Sequence, residues 1–300
     1  MLNIKAKESK NVVEVVGILK ELDVEEKTTA DGRGYVSCKA VVKVDQEING
    51  QMVECEVPLR GFSMALKKDG GPNKVYQSMV QYKDKYTSLA ACPDDHPEMA
   101  SRVVINSGRI EENMWQDQTT GTVRTGFQIT TNFINPARAN DEEKATFELS
   151  GVILGTEMEQ GDDGETGRLK IKFGVVRYAG KLDVIELIAA SEAAVNFISQ
   201  NWEEGDTVNV NGKISINQST KTWTEEQGFG EPIKRTKTIS RKELIIVGGS
   251  PSGLEEDYSY DHDDIKVALD ERVGRMNELK EKTNLAGKAQ TQAPKNGFGF

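Results

Sequence analysis

The pattern that most constrains this chain occurs twice. A strand-like run broken by a central glycine is followed by a turn, a basic alternating strand, and later a second apolar strand carrying Gly-Arg or Gly-Lys. The first copy reads Val12-Val13-Glu14-Val15-Val16-Gly17-Ile18-Leu19, then Tyr35 to Val44, then Val104-Ile105-Asn106-Ser107-Gly108-Arg109-Ile110. The second reads Phe147-Glu148-Leu149-Ser150-Gly151-Val152-Ile153-Leu154, then Arg168 to Tyr178, then Val208-Asn209-Val210-Asn211-Gly212-Lys213-Ile214. A long first strand bent at a glycine can serve both halves of a small closed barrel. Two such copies point to a tandem binding protein rather than an enzyme.

Three hundred residues are enough for two such units, each burying its own core. In the first, residues 1–140, strands are predicted over Val12–Leu22, Tyr35–Val44, Val53–Phe62, Arg102–Glu111 and Thr122–Ile134, with a helical or irregular stretch over Val75–Leu89. Asn49-Gly50 is a hairpin signal because both residues tolerate positive φ. Asn135 to Asp141 breaks the pattern and sets the boundary. The second unit, residues 141–252, is predicted as strands Ala145–Glu157, Arg168–Tyr178, Leu182–Ala189, Thr207–Asn217 and Ser240–Val247, with a helix over Glu192–Trp202 capped by Ser191. Five strands with a helix between the third and fourth is the order of the OB-fold barrel, so the fold class is mainly β with two OB-like barrels. Residues 253–300 read as an acidic linker, a helix over Ile265–Lys282 with Ile265, Leu269, Val273, Met276 and Leu279 on one apolar face, and a flexible tail.

The net charge is −10, from 48 acidic and 38 basic residues, which argues against simple electrostatic coating of nucleic acid. Any such site must be a local stripe. Cys38, Cys55 and Cys92 form no CxxC pair and read as reduced thiols, and the loop Cys92 to His96 offers too few ligands for a structural zinc. No apolar run is long enough to span a bilayer and no secretory signal opens the chain, so a cytoplasmic location without membrane contact is expected. His96 and His262 lie in acidic segments without a nucleophile, and phosphate-binding glycine motifs are absent. Asp162-Asp163 and Asp263-Asp264 are explained by turns and helix caps. No enzyme activity, cofactor or metal is expected.

The cationic stripe is clearest in Arg168-Leu169-Lys170-Ile171-Lys172-Phe173. Alternation sends Leu169, Ile171 and Phe173 inward and Arg168, Lys170 and Lys172 together outward, with Arg177 and Lys181 nearby and Tyr178 and Lys213 as further candidates. Cations on an outer strand face also serve solubility, but OB-folds bind oligonucleotides across strands two and three. The first unit repeats the arrangement with Arg33, Tyr35, Lys39 and Lys43, to which Arg60 adds a charge and Phe62 a ring that either stacks or enters the core. Residues 218–237 read as a long loop in which Trp223 and Phe229 alternate with Lys221, Lys234, Arg235 and Lys237. Each ring would either stack a base or fold back over the barrel. Arg109, Trp115, Arg124 and Phe127 are their counterparts in the first unit.

These residues resemble single-stranded DNA-binding proteins, in particular the phage-encoded kind built on OB-folds, over roughly residues 10 to 250. The resemblance rests on pattern and strand order and implies sequence-nonspecific binding of single-stranded DNA in replication, recombination or repair. It also implies recruitment of replication or recombination proteins through the carboxy-terminal region, and homo-oligomers are a further expectation. In bacterial members of that class an acidic tail ends in an aromatic tip. Here the acidic run Glu255 to Asp264 is internal and the last residues, Lys295 to Phe300, are not acidic. That run could fold over the basic stripe and compete with DNA. The alternative reading is a protein-interaction or virion-associated module whose carboxy-terminal helix docks on a partner.

Overall fold

The computed structural model describes residues 7–117, 119–161, 164–225, 233–251 and 259–290. The first pattern copy folds as strands β1 (Asn11–Thr28), β2 (Gly34–Ile48) and β3 (Gln51–Met64), short helices α1 (Lys74–Val80) and α2 (Tyr82–Lys85), then β4 (Arg102–Gln116), β5 (Val123–Thr130) and the two-residue β6 (Asn135–Pro136). The second folds as β7 (Lys144–Gly161), β8 (Gly164–Val176), β9 (Leu182–Ala189), helix α3 (Glu192–Asn201), β10 (Thr207–Glu225) and β11 (Ile233–Gly249), and helix α4 (His262–Gln290) follows. No helix among the described residues is long and apolar enough to cross a membrane.

Alternation builds the strands. In β2 the side chains of Val36, Cys38, Ala40, Val42 and Val44 are buried, and the residues between them face outward. Asn49 and Gly50 both adopt positive φ and return the chain into β3 with Ile48 opposite Gln51. Asn73 caps α1 by accepting from the Val75 amide at 3.1 Å, and Ser191 caps α3 by accepting from the Ala194 amide at 3.2 Å.

Strand pairing closes two circuits. In the first, β1 pairs with β2, β2 with β3, β3 in parallel with β5, β5 with β4, and β4 back to β1. In the second, β7, β8, β9, β11 and β10 repeat that order, again with one parallel pair, β9 with β11. The circuits join where β1 pairs antiparallel with β7, from Asn11 opposite Leu149 to Val16 opposite Lys144. Gln46, buried at this join, donates to the Ile214 carbonyl at 2.8 Å and accepts from the Ala145 amide at 3.0 Å.

The central glycines of the repeated pattern are required by close backbone approach. A Cβ built on Gly17 would stand 2.1 Å from the Lys43 carbonyl oxygen, and one on Gly151 would stand 2.2 Å from that of Gly174. Neither oxygen can withdraw without breaking its own ladder.

Four features differ from the sequence expectation. The stretch 218–237 is not a loop: β10 and β11 continue as a hairpin to Glu225 and from Ile233, because its threonines and serines alternate with long side chains and suit a strand without any core beneath them. Strand β5 stops at Thr130 rather than Ile134, because the Thr131 hydroxyl accepts from the Phe133 amide at 3.1 Å and turns the chain. Strand β8 stops at Val176, before a tight turn with Ala179 and Gly180 at positive φ. The inward face of α4 is the predicted one in its first turns, where Ile265 and Leu269, joined by Ala268, pack with Val152, Val176 and Leu182, but Val273 is 50% exposed. The reason is Glu112 on β4, a nearly inaccessible carboxylate whose burial demands a counterion, and Arg272 supplies it through two nitrogens. The first half of the helix expected to dock on a partner thus packs on its own chain.

Gly151→Ala is expected to lower stability by about 1–3 kcal/mol or more, read as a shift in the urea midpoint. Gly274→Ala, in α4 with open space around its would-be Cβ, should instead leave stability unchanged or raise it by up to about 1 kcal/mol.

Candidate nucleic-acid interface

On β8 the predicted alternation is present: Leu169, Ile171 and Phe173 are buried, and Arg168, Lys170 and Lys172 lie on the other face. Their surroundings differ sharply. Arg168 is held between Glu159 at 3.4 Å and Glu243 at 2.8 Å with its side chain 16% exposed, so its charge is largely committed to the fold. Lys172 lies 3.9 Å from Glu157 with both groups open to solvent. Lys170 stands opposite Glu157 in the β7–β8 ladder but forms no ion pair among the described residues. Arg177 bridges Glu111 at 2.8 Å and Asp183 at 3.2 Å. Lys213 donates to the Glu47 carbonyl, and Tyr178 projects from its turn with its ring exposed.

In the first circuit Tyr35 on β2 and Phe62 on β3 form a tilted aromatic pair, ring centroids 5.3 Å apart, on the outer face. Phe62 is 53% exposed, so it belongs to the surface and not the core. Lys39 stands opposite Arg60 across the β2–β3 ladder. Arg33 pairs with Asp31 at 2.7 Å, Lys39 with Asp23 at 3.8 Å, Lys43 with Glu54, and Arg109 with Glu8 at 2.6 Å. Exposed pairs of this kind contribute only about 0–1 kcal/mol, so a phosphate can displace the carboxylate at little cost. Arg60 has no carboxylate partner among the described residues. Arg60, Phe62, Arg109, Gln128, Asn132 and Phe133 line a cleft of about 700 Å³. Phe133, 45% exposed, is concealed in the sequence by a strand expected to run to Ile134; the Thr131-Asn132 pair is the local signal for a turn there.

Each circuit also carries a hairpin with a tryptophan directly opposite an arginine: Trp115 opposite Arg124 on β4–β5, and Trp223 opposite Arg235 on β10–β11. Both rings are more than two-fifths exposed, at 42% and 43%, so neither is folded into the core. Trp115 lies across Gly126, where an added Cβ would be 3.3 Å from the ring. Arg124 also reaches Asp117 at 2.8 Å, and Asp117 accepts from the amides of Thr119 and Thr120 at the hairpin turn. Lys234 is exposed on β11. Lys221 and Lys237 are opposite each other in the ladder, while their side chains lie outside the described residues, as do Phe229, Asp162, Asp163, the acidic run through Asp257, and Phe298 and Phe300.

The two circuits are pinned together beside these hairpins by buried charge. The Glu112 amide donates to Asp183 at 3.0 Å, the Val184 amide donates to Glu112 at 3.3 Å, and Arg177 and Arg272 supply the positive charge. Burial raises the Asp183 carboxyl above its ordinary 3.8, although the Glu112 amide and Arg177 oppose the shift. Among the described residues no three His, Cys, Asp or Glu side chains gather as a metal site.

The strand order of each circuit, its helical segment between the third and fourth strands and the exposed aromatic and cationic outer face define an OB-fold protein. The chain belongs to the YorF family, whose model matches residues 10–284. Among solved structures, a deletion mutant of the single-stranded DNA binding protein from Thermus aquaticus is similar over 83% of this chain and 97% of that one, at 15% identity and a TM-score of 0.51. The wild-type protein from the same organism is similar over 82% and 94%, at 14% identity and a TM-score of 0.48. No curated protein sequence matches the chain.

The Asp183 side chain, followed by carboxyl-carbon NMR, is expected to titrate above 3.8. Its folded form holds the proton more tightly than the unfolded form. Its contribution to stability is therefore full below 3.8 and is lost as pH rises through the folded value.

Proposed function

We propose that this protein binds single-stranded DNA without sequence preference, in replication, recombination or repair of a phage genome, with residues 1–140 and 141–252 each acting as one OB domain. The observation that carries the reading is the pair of exposed tryptophans, each facing an arginine on a hairpin beside a cationic strand face. Rings of this kind stack bases of any sequence, at about 1–3 kcal/mol per base. The likeness in fold to a protein described as single-stranded DNA binding supports the same reading. Phosphates would be met by Lys170, Lys172, Arg60 and the weakly paired Arg33, Lys39, Lys43, Arg109 and Arg124. Arg168 and Arg177 would chiefly hold the surface in shape. In a chain of net charge −10 these contacts act locally, since the whole-protein field does not attract DNA. Proteins of replication or recombination would be engaged through the carboxy-terminal region.

The test is fluorescence anisotropy of a labelled mixed-sequence oligonucleotide, single-stranded and duplex, titrated at several salt concentrations. Tighter, salt-dependent binding of the single strand is expected, and equal binding of the duplex or no binding at low salt would overturn the reading. Lys170→Ala with Lys172→Ala should lower the slope of log affinity against log salt by about 0.7 for each phosphate that is no longer neutralised. Trp115→Ala and Trp223→Ala should each weaken binding by about 1–3 kcal/mol, with the salt slope unchanged because stacking releases no counterion.

A further inference from the structure

Two cations meet where β11 of the second circuit reaches β5 of the first. Most cations of the candidate surface have a carboxylate within ion-pairing distance, whereas Arg60 on β3 and Lys242 on β11 have none among the described residues. Lys242 belongs to the second circuit, two residues before the buried Leu244, yet it reaches across to the first. Its ammonium sits 4.4 Å from the centroid of the Phe127 ring on β5 and donates to the Phe127 carbonyl. Arg60 is next to the same strand, beside Thr130 in the parallel β3–β5 pair. Phe127 and Thr130 are three residues apart, about 10 Å along the strand, so two side chains of this length can converge on one group between them. Burial first, and the Arg60 charge second, hold the Lys242 pKa below the ordinary lysine value. Like charges that approach one another are unfavourable until an anion joins them. The cleft edged by Phe62 and Phe133 opens at Arg60, and Gln128, between Phe127 and Thr130, lines it.

Building on the single-stranded DNA reading, we propose that Arg60 and Lys242 together hold one phosphate of the bound strand where β11 reaches β5, so that both circuits share a single continuous track. Lys242 becomes a binding residue contributed by one circuit to the surface of the other.

The experiment compares wild type, Arg60→Gln, Lys242→Gln and the double variant in the same anisotropy titration across salt, after circular dichroism melting has established that each is folded. One phosphate accounts for at most about 0.7 of the salt slope on a single strand. Each single variant should therefore lower the slope by up to about 0.7, and the double variant by no more than that. An unchanged slope in the double variant would overturn the proposal while leaving single-stranded DNA binding in place. A double variant whose slope falls by about 1.4 would also overturn it, because the two cations would then serve separate phosphates. If wild type fails to bind the single strand, the functional reading falls and this proposal falls with it.

Discussion

A strand that belongs to both halves of a closed sheet must pass another backbone closely at the point where it bends, and a Cβ cannot be accommodated there. In this chain those points are Gly17 in β1 and Gly151 in β7, each with a carbonyl oxygen where the side chain would stand. The rest of the fold follows from that close approach. Because β1 bends, it pairs with β2 from Ile18 onward and with β4 from Val13 to Ile18, and the other edge of its amino-terminal half is left free to pair with β7. The same bend in β7 allows its pairing with β8 and β10. The join between circuits is therefore a consequence of closure, and Gln46 satisfies the backbone groups that the join buries.

The placement of charge divides the cations into two kinds. Arg168 and Arg272 are shielded and matched to carboxylates, and the removal of one partner would leave a largely buried charge unpaired. Arg33, Lys39 and Lys172 face carboxylates across solvent, where the pairing contributes little. An acidic protein can present a cationic surface in this way. The acids that balance its buried arginines stay in the fold, and those beside its exposed cations can be displaced by a stronger anion.

Much of the fold was legible because it depends on alternation and on backbone geometry. The inward Leu169, Ile171 and Phe173, the Asn49-Gly50 turn, the capped α3 and the bounds of β9 follow from local rules. The length of the β10–β11 arm did not, because a strand with two polar faces has the composition of a loop, and only cross-strand pairing distinguishes them. The face of α4 followed only in its first turns, at Ile265 and Leu269. Helical periodicity chose Val273, but a buried carboxylate 160 residues earlier drew Arg272 inward instead.

For the candidate site, the sequence by itself determined which residue types recur: cations on alternate positions of β2 and β8, and a tryptophan in each terminal hairpin. Those follow from strand period, which is a local property. Only the tertiary structure decided which of the cations are available and which rings are exposed, because availability depends on what stands opposite. Arg168 and Lys170 are equivalent by alternation, yet Glu159 and Glu243 claim the first and leave the second. Phe133 and Lys242 entered the surface only through a turn and a crossing between circuits, and no local pattern encodes an approach between residues as far apart in the chain as Lys242 and Phe127.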